Sequence, residues 1–256
     1  MPSASGPIIT VQGVSKAFGG IQAVDDCTFD VAPRLITGLI GPNGAGKTTI
    51  FNLITGFLRP DRGSVRFKGE ELVGLPPHEV ERRGVARTFQ HLRLWSKMTV
   101  LDNVLLGCQS AVGENALTLF LRPAAVRAQE ARDRARALEV LEFFGLRHQA
   151  HELAEDLAYP EQKLLSMARI FATDAEVLLL DEPTSGFDAD SLRRVIPIVR
   201  RLVEHGKTVL LIEHNMELIS QLSDEVVFLH QGHVLARGAP ATITRDPALT
   251  EIYFGI

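Results

Sequence analysis

Cysteine occurs twice, tyrosine twice and tryptophan once in the 256 residues. Cys27 and Cys108 stand far apart, without the short spacing of zinc or redox sites. The fold is therefore expected to use neither disulfides nor a thiolate-held metal, and both thiols are expected to pack in a reducing compartment. No apolar run approaches the ~20 residues needed to span a bilayer. The opening residues, Met1 to Pro7, lack the basic flank and apolar stretch of a secretory signal. Positive charge is not in excess either: 27 Lys and Arg face 31 Asp and Glu, for a net charge of −4. With a pI near 6.1 the whole chain offers no footprint for nucleic acid. Internal repeats and low-complexity tracts are missing. The expectation is a soluble, cytoplasmic chain whose membrane role, if any, comes through a partner. Hydrophobic residues make up 45%, enough for the core of one large domain with a subdomain.

What is present is concentrated in Gly41-Pro42-Asn43-Gly44-Ala45-Gly46-Lys47-Thr48. It fits Gly-x-x-x-x-Gly-Lys-Ser/Thr, the phosphate-binding loop of nucleoside triphosphatases. By chance such a match arises in roughly one chain in a hundred of this length. Here it also follows an apolar, strand-like run (Leu35 to Ile40) and leads into a helix-like run (Thr48 to Ile54). Glycines without a Cβ let backbone N–H groups turn inward on a polyphosphate. The helix N-terminus adds positive potential, Lys47 reaches the β- and γ-phosphates, and the Thr48 hydroxyl is placed for Mg²⁺, with Thr49 beside it.

Short β-like runs dominate the first part of the chain: Ile8 to Val11, Thr28 to Val31, Leu35 to Ile40 and Ser64 to Phe67. The stretch 91–156 changes character and reads as helical. Pro123 opens a helix expected to reach Phe144 and stop at Gly145, with Ala131, Ala135, Leu138 and Leu141 as its buried stripe and its charges on a solvated face. Ala175 to Leu180 and Thr208 to Ile212 have the unbroken apolar character of buried parallel strands. Asp224 to Leu229 and His233 to Ala236, joined through Gln231-Gly232, read as a hairpin. The expected fold is α/β: a P-loop core with an antiparallel β-subdomain and an inserted α-helical subdomain. One domain spans 1–256, with 1–90 and 157–256 as the ATP-binding core and 91–156 as the insertion.

The second half of the site is Val177-Leu178-Leu179-Leu180-Asp181-Glu182, an apolar strand ending in two carboxylates. In parallel sheets ligands sit at the carboxyl ends of strands. Asp181 is suited to hold Mg²⁺ and Glu182 to take a proton from the water that attacks the γ-phosphate.

The order of these motifs resembles the ATPase subunits of ABC transporters over nearly the whole chain. The resemblance implies further roles. Phe18 matches the aromatic that stacks on adenine, with Val24 also on the nucleotide. Gln90, in Arg87-Thr88-Phe89-Gln90, matches the Q-loop glutamine near Mg²⁺ and the attacking water. Ser185-Gly186-Phe187-Asp188 matches the D-loop between two ATPase subunits. His214 matches the switch histidine at the γ-phosphate. The wording of Ile40 to Phe57, Phe18 to Val24 and Gly84 to Gln90 is very similar to the LivG-like ATPases of branched-chain amino acid importers. That implies ATP and Mg²⁺ as cofactors and a peripheral place on the cytoplasmic face of the bacterial inner membrane. It also implies a second, non-identical ATPase, two permeases and a periplasmic or extracellular substrate-binding protein as partners, and no nucleic acid. Leu94 and Trp95 are expected in the groove that receives a permease helix.

One stretch departs from the family. Where its members carry a signature close to Leu-Ser-Tyr-Gly-Glu-Gln, this chain has Leu157-Ala158-Tyr159-Pro160-Glu161-Gln162. Ala158 has no hydroxyl and Pro160 no N–H. Each lost hydrogen bond to a charged phosphate is worth about 1.5–3 kcal/mol. Two together cost about 3–6 kcal/mol, on the order of 10² to 10⁴ in rate or affinity. Either the signature is tolerated with relaxed geometry, or this chain works in a heterodimer with one hydrolytic and one degenerate site. The alternatives are an ABC ATPase of a lipid or lipopolysaccharide transporter, which acts as a homodimer, and a nucleotide-gated regulator with low turnover, for which Glu182 and His214 would be superfluous. A non-transport ABC protein acting on DNA or ribosomes fits poorly with one domain of negative net charge.

Overall fold

The computed structural model describes residues 6–90, 92–108 and 123–254. Parts of the expected helical insertion (91 and 109–122) and of the C-terminus (255–256) lie outside the described residues. In chain order the elements are β1 (Ile9–Phe18), β2 (Ile21–Val31), β3 (Ile36–Ile40), α1 (Lys47–Ile54), β4 (Arg62–Phe67), β5 (Glu70–Glu71), α2 (Pro77–Arg83), β6 (Val85–Arg87) and α3 (Val100–Leu105). They continue with α4 (Pro123–Phe143), a 3-10 turn at Arg147–Gln149, α5 (Tyr159–Ala172), β7 (Val177–Asp181), α6 (Ala189–Glu204), β8 (Thr208–Ile212), α7 (Met216–Leu222), β9 (Glu225–His230), β10 (His233–Gly238), α8 (Pro240–Thr244) and α9 (Pro247–Phe254).

Two sheets result. The antiparallel one runs β2-β1-β4-β5, and the six-stranded one runs β10-β9-β3-β8-β7-β6. In the latter β9, β3, β8, β7 and β6 are parallel, and β10 closes the edge antiparallel to β9. Every residue of β3, β7 and β8 is buried, which explains their unbroken apolar sequences. Alternate residues serve two cores. Leu39, Leu179, Leu210 and Val227 face α1 and the antiparallel sheet. Ile36, Ile40, Leu178, Leu180, Leu211 and Phe228 face a cluster that includes residues of α3, α4, α5 and α6.

The expected hairpin forms, with Gln231 (φ 47°) and Gly232 (φ 83°) both left-handed, as a two-residue turn between twisted strands requires. Three expectations need correction. β1 and β2 are far longer than the apolar runs that marked them, because register shifts between Val11 and Ala17 break the alternation. β6 was not foreseen as a strand; three residues are too few to show a period. The stripe of α4 is displaced in part: Leu141 is buried and Leu138 packs against the core as expected, but Ala131 and Ala135 are exposed and Val126, Ala137 and Val140 are buried instead. Alanines suit either face of a helix, so they mark a stripe poorly.

Candidate functional site

The carboxyl ends of four parallel strands meet at one edge of the large sheet. β3 leads into Gly41–Gly46, β6 into Thr88–Gln90, β7 ends in Asp181 before Glu182, and β8 leads to Glu213 and His214. A cavity of about 410 Å³ opens there, lined by Asn43, Gly44, Ala45, Gly46, Lys47, Thr48, Thr49, Gln90, Glu182, His214, Ala23 and Ile212.

The loop after β3 is built for close backbone approach. Gly41 sits at φ 149°, and a Cβ there would lie 2.0 Å from the Leu229 carbonyl oxygen. Gly46 sits at φ 101°, and a Cβ there would lie 2.5 Å from the Ala23 carbonyl oxygen. Gly46 caps α1 without a side-chain hydrogen bond, and no acidic residue occupies the first turn. The positive end of α1 is thus left for an anion. Lys47 is buried and its Nζ donates to the carbonyls of Gly41 (2.7 Å) and Pro42 (2.9 Å). Burial pulls its pKa down, and Glu182 and Asp181 pull it back up.

Glu182 is the hub of the opposite wall. Its Oε1 lies 2.8 Å from His214 Nε2, and Gln90 Nε2 donates to both carboxylate oxygens at 3.3 Å. Two residues far from it in sequence therefore converge on one carboxylate. Asp181, by contrast, does not line the cavity. Its Oδ2 accepts from Arg87 Nη2 at 2.7 Å, and both side chains are nearly inaccessible. Arg87 also donates to Asn52 Oδ1 of α1 (2.5 Å) and to the Thr88 carbonyl (3.2 Å). No group of three or more His, Cys, Asp and Glu side chains among the described residues could hold a metal alone. One hydroxyl, one amide and one carboxylate suit Mg²⁺, which takes few protein ligands and completes its shell with water and phosphate oxygens.

Of Phe18 and Val24, both expected on the nucleotide, Phe18 is half-exposed at the end of β1, with Lys16 Nζ 5.7 Å from its ring centroid. Val24 is fully buried in the core, and its neighbour Ala23 lines the cavity instead, since successive strand residues face opposite sides.

The degenerate signature forms the start of α5. Leu157 is buried, Ala158 is the N-cap with no side-chain hydrogen bond, and Tyr159 and Pro160 open the first turn. Proline is compatible with that turn, where its missing N–H has no intrahelical partner anyway. Glu161 contacts Arg194 at 3.3 Å, and Gln162 Nε2 donates to the Leu157 carbonyl at 2.9 Å. In the Ser185–Asp188 segment, Ser185 N donates to the Glu182 carbonyl (3.3 Å) and Phe187 packs against the core. Asp188 caps α6 by accepting from Ser191 N at 2.8 Å, and the Ser191 side chain, then that N–H, holds its carboxyl below the usual range.

Sequence reasoning missed three buried groups here: Arg87, Lys163 and Glu213. Lys163 Nζ donates to the Glu182 carbonyl and to Ser185 Oγ. Glu213 accepts from Thr184 N (2.9 Å) and Thr184 Oγ1 (2.6 Å), while burial pushes its pKa up. A charge at the end of a short apolar strand was the available signal for Arg87 and Glu213, whereas Lys163 lies in helix α5.

A family model described as ABC transporter matches residues 24–185. The high-affinity branched-chain amino acid transport ATP-binding protein LivG of Escherichia coli is 38% identical over 98% of this chain and 99% of its own length. BraF of Pseudomonas aeruginosa, which bears the same description, is 40% identical over 98% of this chain and 99% of its own length. Among solved structures, the ADP conformation of an ATP-binding cassette of an ABC transporter matches with a TM-score of 0.83 and 31% identity, covering 98% of this chain and 100% of the other.

Proposed function

The chain belongs to the ABC transporter family of ATP-binding subunits, and from that premise we propose that it hydrolyses ATP to drive an importer of branched-chain or other hydrophobic amino acids, or related small molecules. The observation that carries the catalytic part is the convergence of Gln90 and His214 on Glu182, in the same cavity as Lys47.

In this reading Gly41, Pro42, Asn43, Gly44, Ala45, Gly46 and Lys47 cradle the phosphates, with Thr48 and Thr49 at the helix start. Phe18 stacks on adenine. Glu182 takes the proton of the attacking water, Gln90 orients that water, and His214 leaves Glu182 to meet the γ-phosphate. Thr48, Gln90 and Asp181 would hold Mg²⁺, which would neutralise phosphate charge. Asp181 would do so usually through water, its Oδ2 remaining on Arg87 Nη2.

The same reading divides the single domain into an ATP-binding core (1–90 and 157–256) and a helical subdomain (91–156). Trp95 is 58% exposed and, with Leu94, forms the docking place for a cytoplasmic helix of the permease. The chain sits at the cytoplasmic face of the inner membrane with two permeases and an unlike ATPase, and a substrate-binding protein outside delivers cargo. The likeness to LivG and BraF supports the amino-acid cargo. No helix of the described residues is long and apolar enough to cross a membrane, and in this reading attachment runs through partners.

The experiment is ATP-driven uptake of labelled leucine by membrane vesicles containing the assembled transporter. Glu182→Gln in this chain abolishes uptake while a fluorescent ATP analogue still binds, and Lys47→Ala abolishes both. Uptake that survives both substitutions removes the reading.

A further inference from the structure

Lys163 lies one turn into α5, four residues beyond Tyr159. Its side chain is buried, at 4% exposure. A buried ammonium requires partners, and it finds two neutral oxygens: the Glu182 carbonyl at 2.5 Å and Ser185 Oγ at 2.6 Å. The Tyr159 ring centroid lies 5.5 Å from its Nζ. That ring also lies against Gly186, where an added Cβ would meet it at 3.1 Å. The first turn of α5 is thus clasped onto the segment that follows Glu182.

Glu182 itself is unusual. It sits at φ 49°, the left-handed region that a residue with a Cβ adopts only under constraint. Three backbone contacts hold it there: its N–H donates to the Ile212 carbonyl at 3.0 Å, and its carbonyl accepts from Ser185 N–H at 3.3 Å and from Lys163. Of these, the Lys163 contact alone comes from α5.

We infer that Lys163 is a positioning residue for Glu182, transmitting displacement of the Ala158–Gln162 turn to Glu182 and Ser185 of the same chain. The degenerate signature then keeps a use after losing its phosphate ligands. A nucleotide held by the partner subunit and pressed against this turn moves α5, and Lys163 carries that movement to the Glu182 backbone. The inference rests on the reading of Glu182 as the base.

The test compares Lys163→Met, Lys163→Arg and Glu182→Gln in the transporter complex purified through a tag on this chain. Lys163→Met is expected to lower kcat for ATP by about 10- to 100-fold, as a misplaced reacting group does, with KM changed less than about threefold. Binding of the fluorescent ATP analogue to the isolated chain stays within about twofold, and Lys163→Arg returns kcat to within about fivefold of the parent. A merely structural role would lower folded yield and raise KM together, and arginine would not restore kcat selectively; that result overturns the inference. If Lys163→Met does not fold, Lys163→Gln is read by the same split of kcat from KM, and an unchanged kcat there also overturns it. Hydrolysis undiminished by Glu182→Gln removes the underlying reading as well. An inactive Glu182→Gln beside a fully active Lys163→Met removes this inference alone.

Discussion

Arg87 Nη2 stands 2.7 Å from Asp181 Oδ2, in a pair whose side chains are 5% and 2% exposed. The guanidinium also lies 5.3 Å from the Phe51 ring centroid and 5.0 Å from that of Phe89, so one cation joins α1, the end of β6 and the end of β7. Burial works against its charge, and the Asp181 contact offsets this only in part. Breaking such a pair leaves a carboxylate uncompensated in the interior. Arg87→Met is therefore expected to destabilise the chain by about 3–5 kcal/mol, measured by urea unfolding. Arg87→Met with Asp181→Leu should recover much of that loss, because an apolar replacement of the whole pair removes the uncompensated charge. A double variant no more stable than the single one would show that the carboxylate is not the source of the cost.

The parts of the site that could be read from the sequence are those whose chemistry fixes a spacing. The loop Gly41–Thr48 is legible because only glycine fits where Gly41 and Gly46 meet the Leu229 and Ala23 carbonyls. Asp181 and Glu182 are legible because charge ends a wholly buried strand. Gln90 and His214 were placed by resemblance, since nothing local in a lone Gln or His announces that both will reach Glu182. The partners of Arg87, Lys163 and Glu213 were not legible: each meets a group distant in sequence, and contacts made by strand order or helix packing leave no local period. The extent of β1 and β2 was hidden for a related reason. Their bulges, with Gly13 and Asp26 at positive φ, interrupt the alternation that marks a strand.

Glu213 supplies a pH dependence. Burial raises its carboxyl pKa above the ordinary 4.5, and the Thr184 hydrogen bonds offset this only in part. The folded chain therefore holds a proton that the unfolded chain releases. Its contribution to stability is full below the ordinary carboxyl value and is lost as pH rises through the folded value. Glu213→Gln keeps an acceptor for Thr184 without the titration. Its stability relative to the parent should increase as pH rises from about 4 to about 8, measured by urea unfolding at each pH. A difference independent of pH would mean that Glu213 titrates as an ordinary carboxyl.

The N-cap of α5 makes a simpler stability test. Ala158 offers no side-chain acceptor, and because Pro160 has no N–H the one within reach of an N-cap side chain is that of Glu161. A serine there can accept from it. Ala158→Ser is expected to stabilise the isolated chain by about 0.5–2 kcal/mol, seen as a higher melting temperature. A lower one would mean that the turn has no room for the cap.

Glu182→Gln should trap any ATP sandwich that this chain forms with itself. With Ala158 and Pro160 at the start of α5, neither half of a homodimer would offer a complete signature to the other's phosphates. Light scattering on the variant with Mg-ATP should accordingly show a monomer that has bound nucleotide. A tight ATP-dependent homodimer would mean that the altered signature is tolerated, and the homodimeric transporter would become the better reading.

The same variant gives the strongest test of asymmetry. In the assembled complex, Glu182→Gln silences the site built on this chain's own phosphate loop, leaving only ATP held by the partner and faced by Ala158 and Pro160. Little hydrolysis should remain there. Adding Ala158→Ser and Pro160→Gly returns a hydroxyl and an N–H to the turn, two hydrogen bonds to a charged group worth together about 3–6 kcal/mol. Hydrolysis at the partner's ATP should then rise by roughly 10² to 10⁴, while nucleotide binding by the isolated chain does not change. If the background rate is already high, or if the restored signature adds nothing to it, the two sites are not distinguished by this turn. The asymmetry would then have to be sought in the partner.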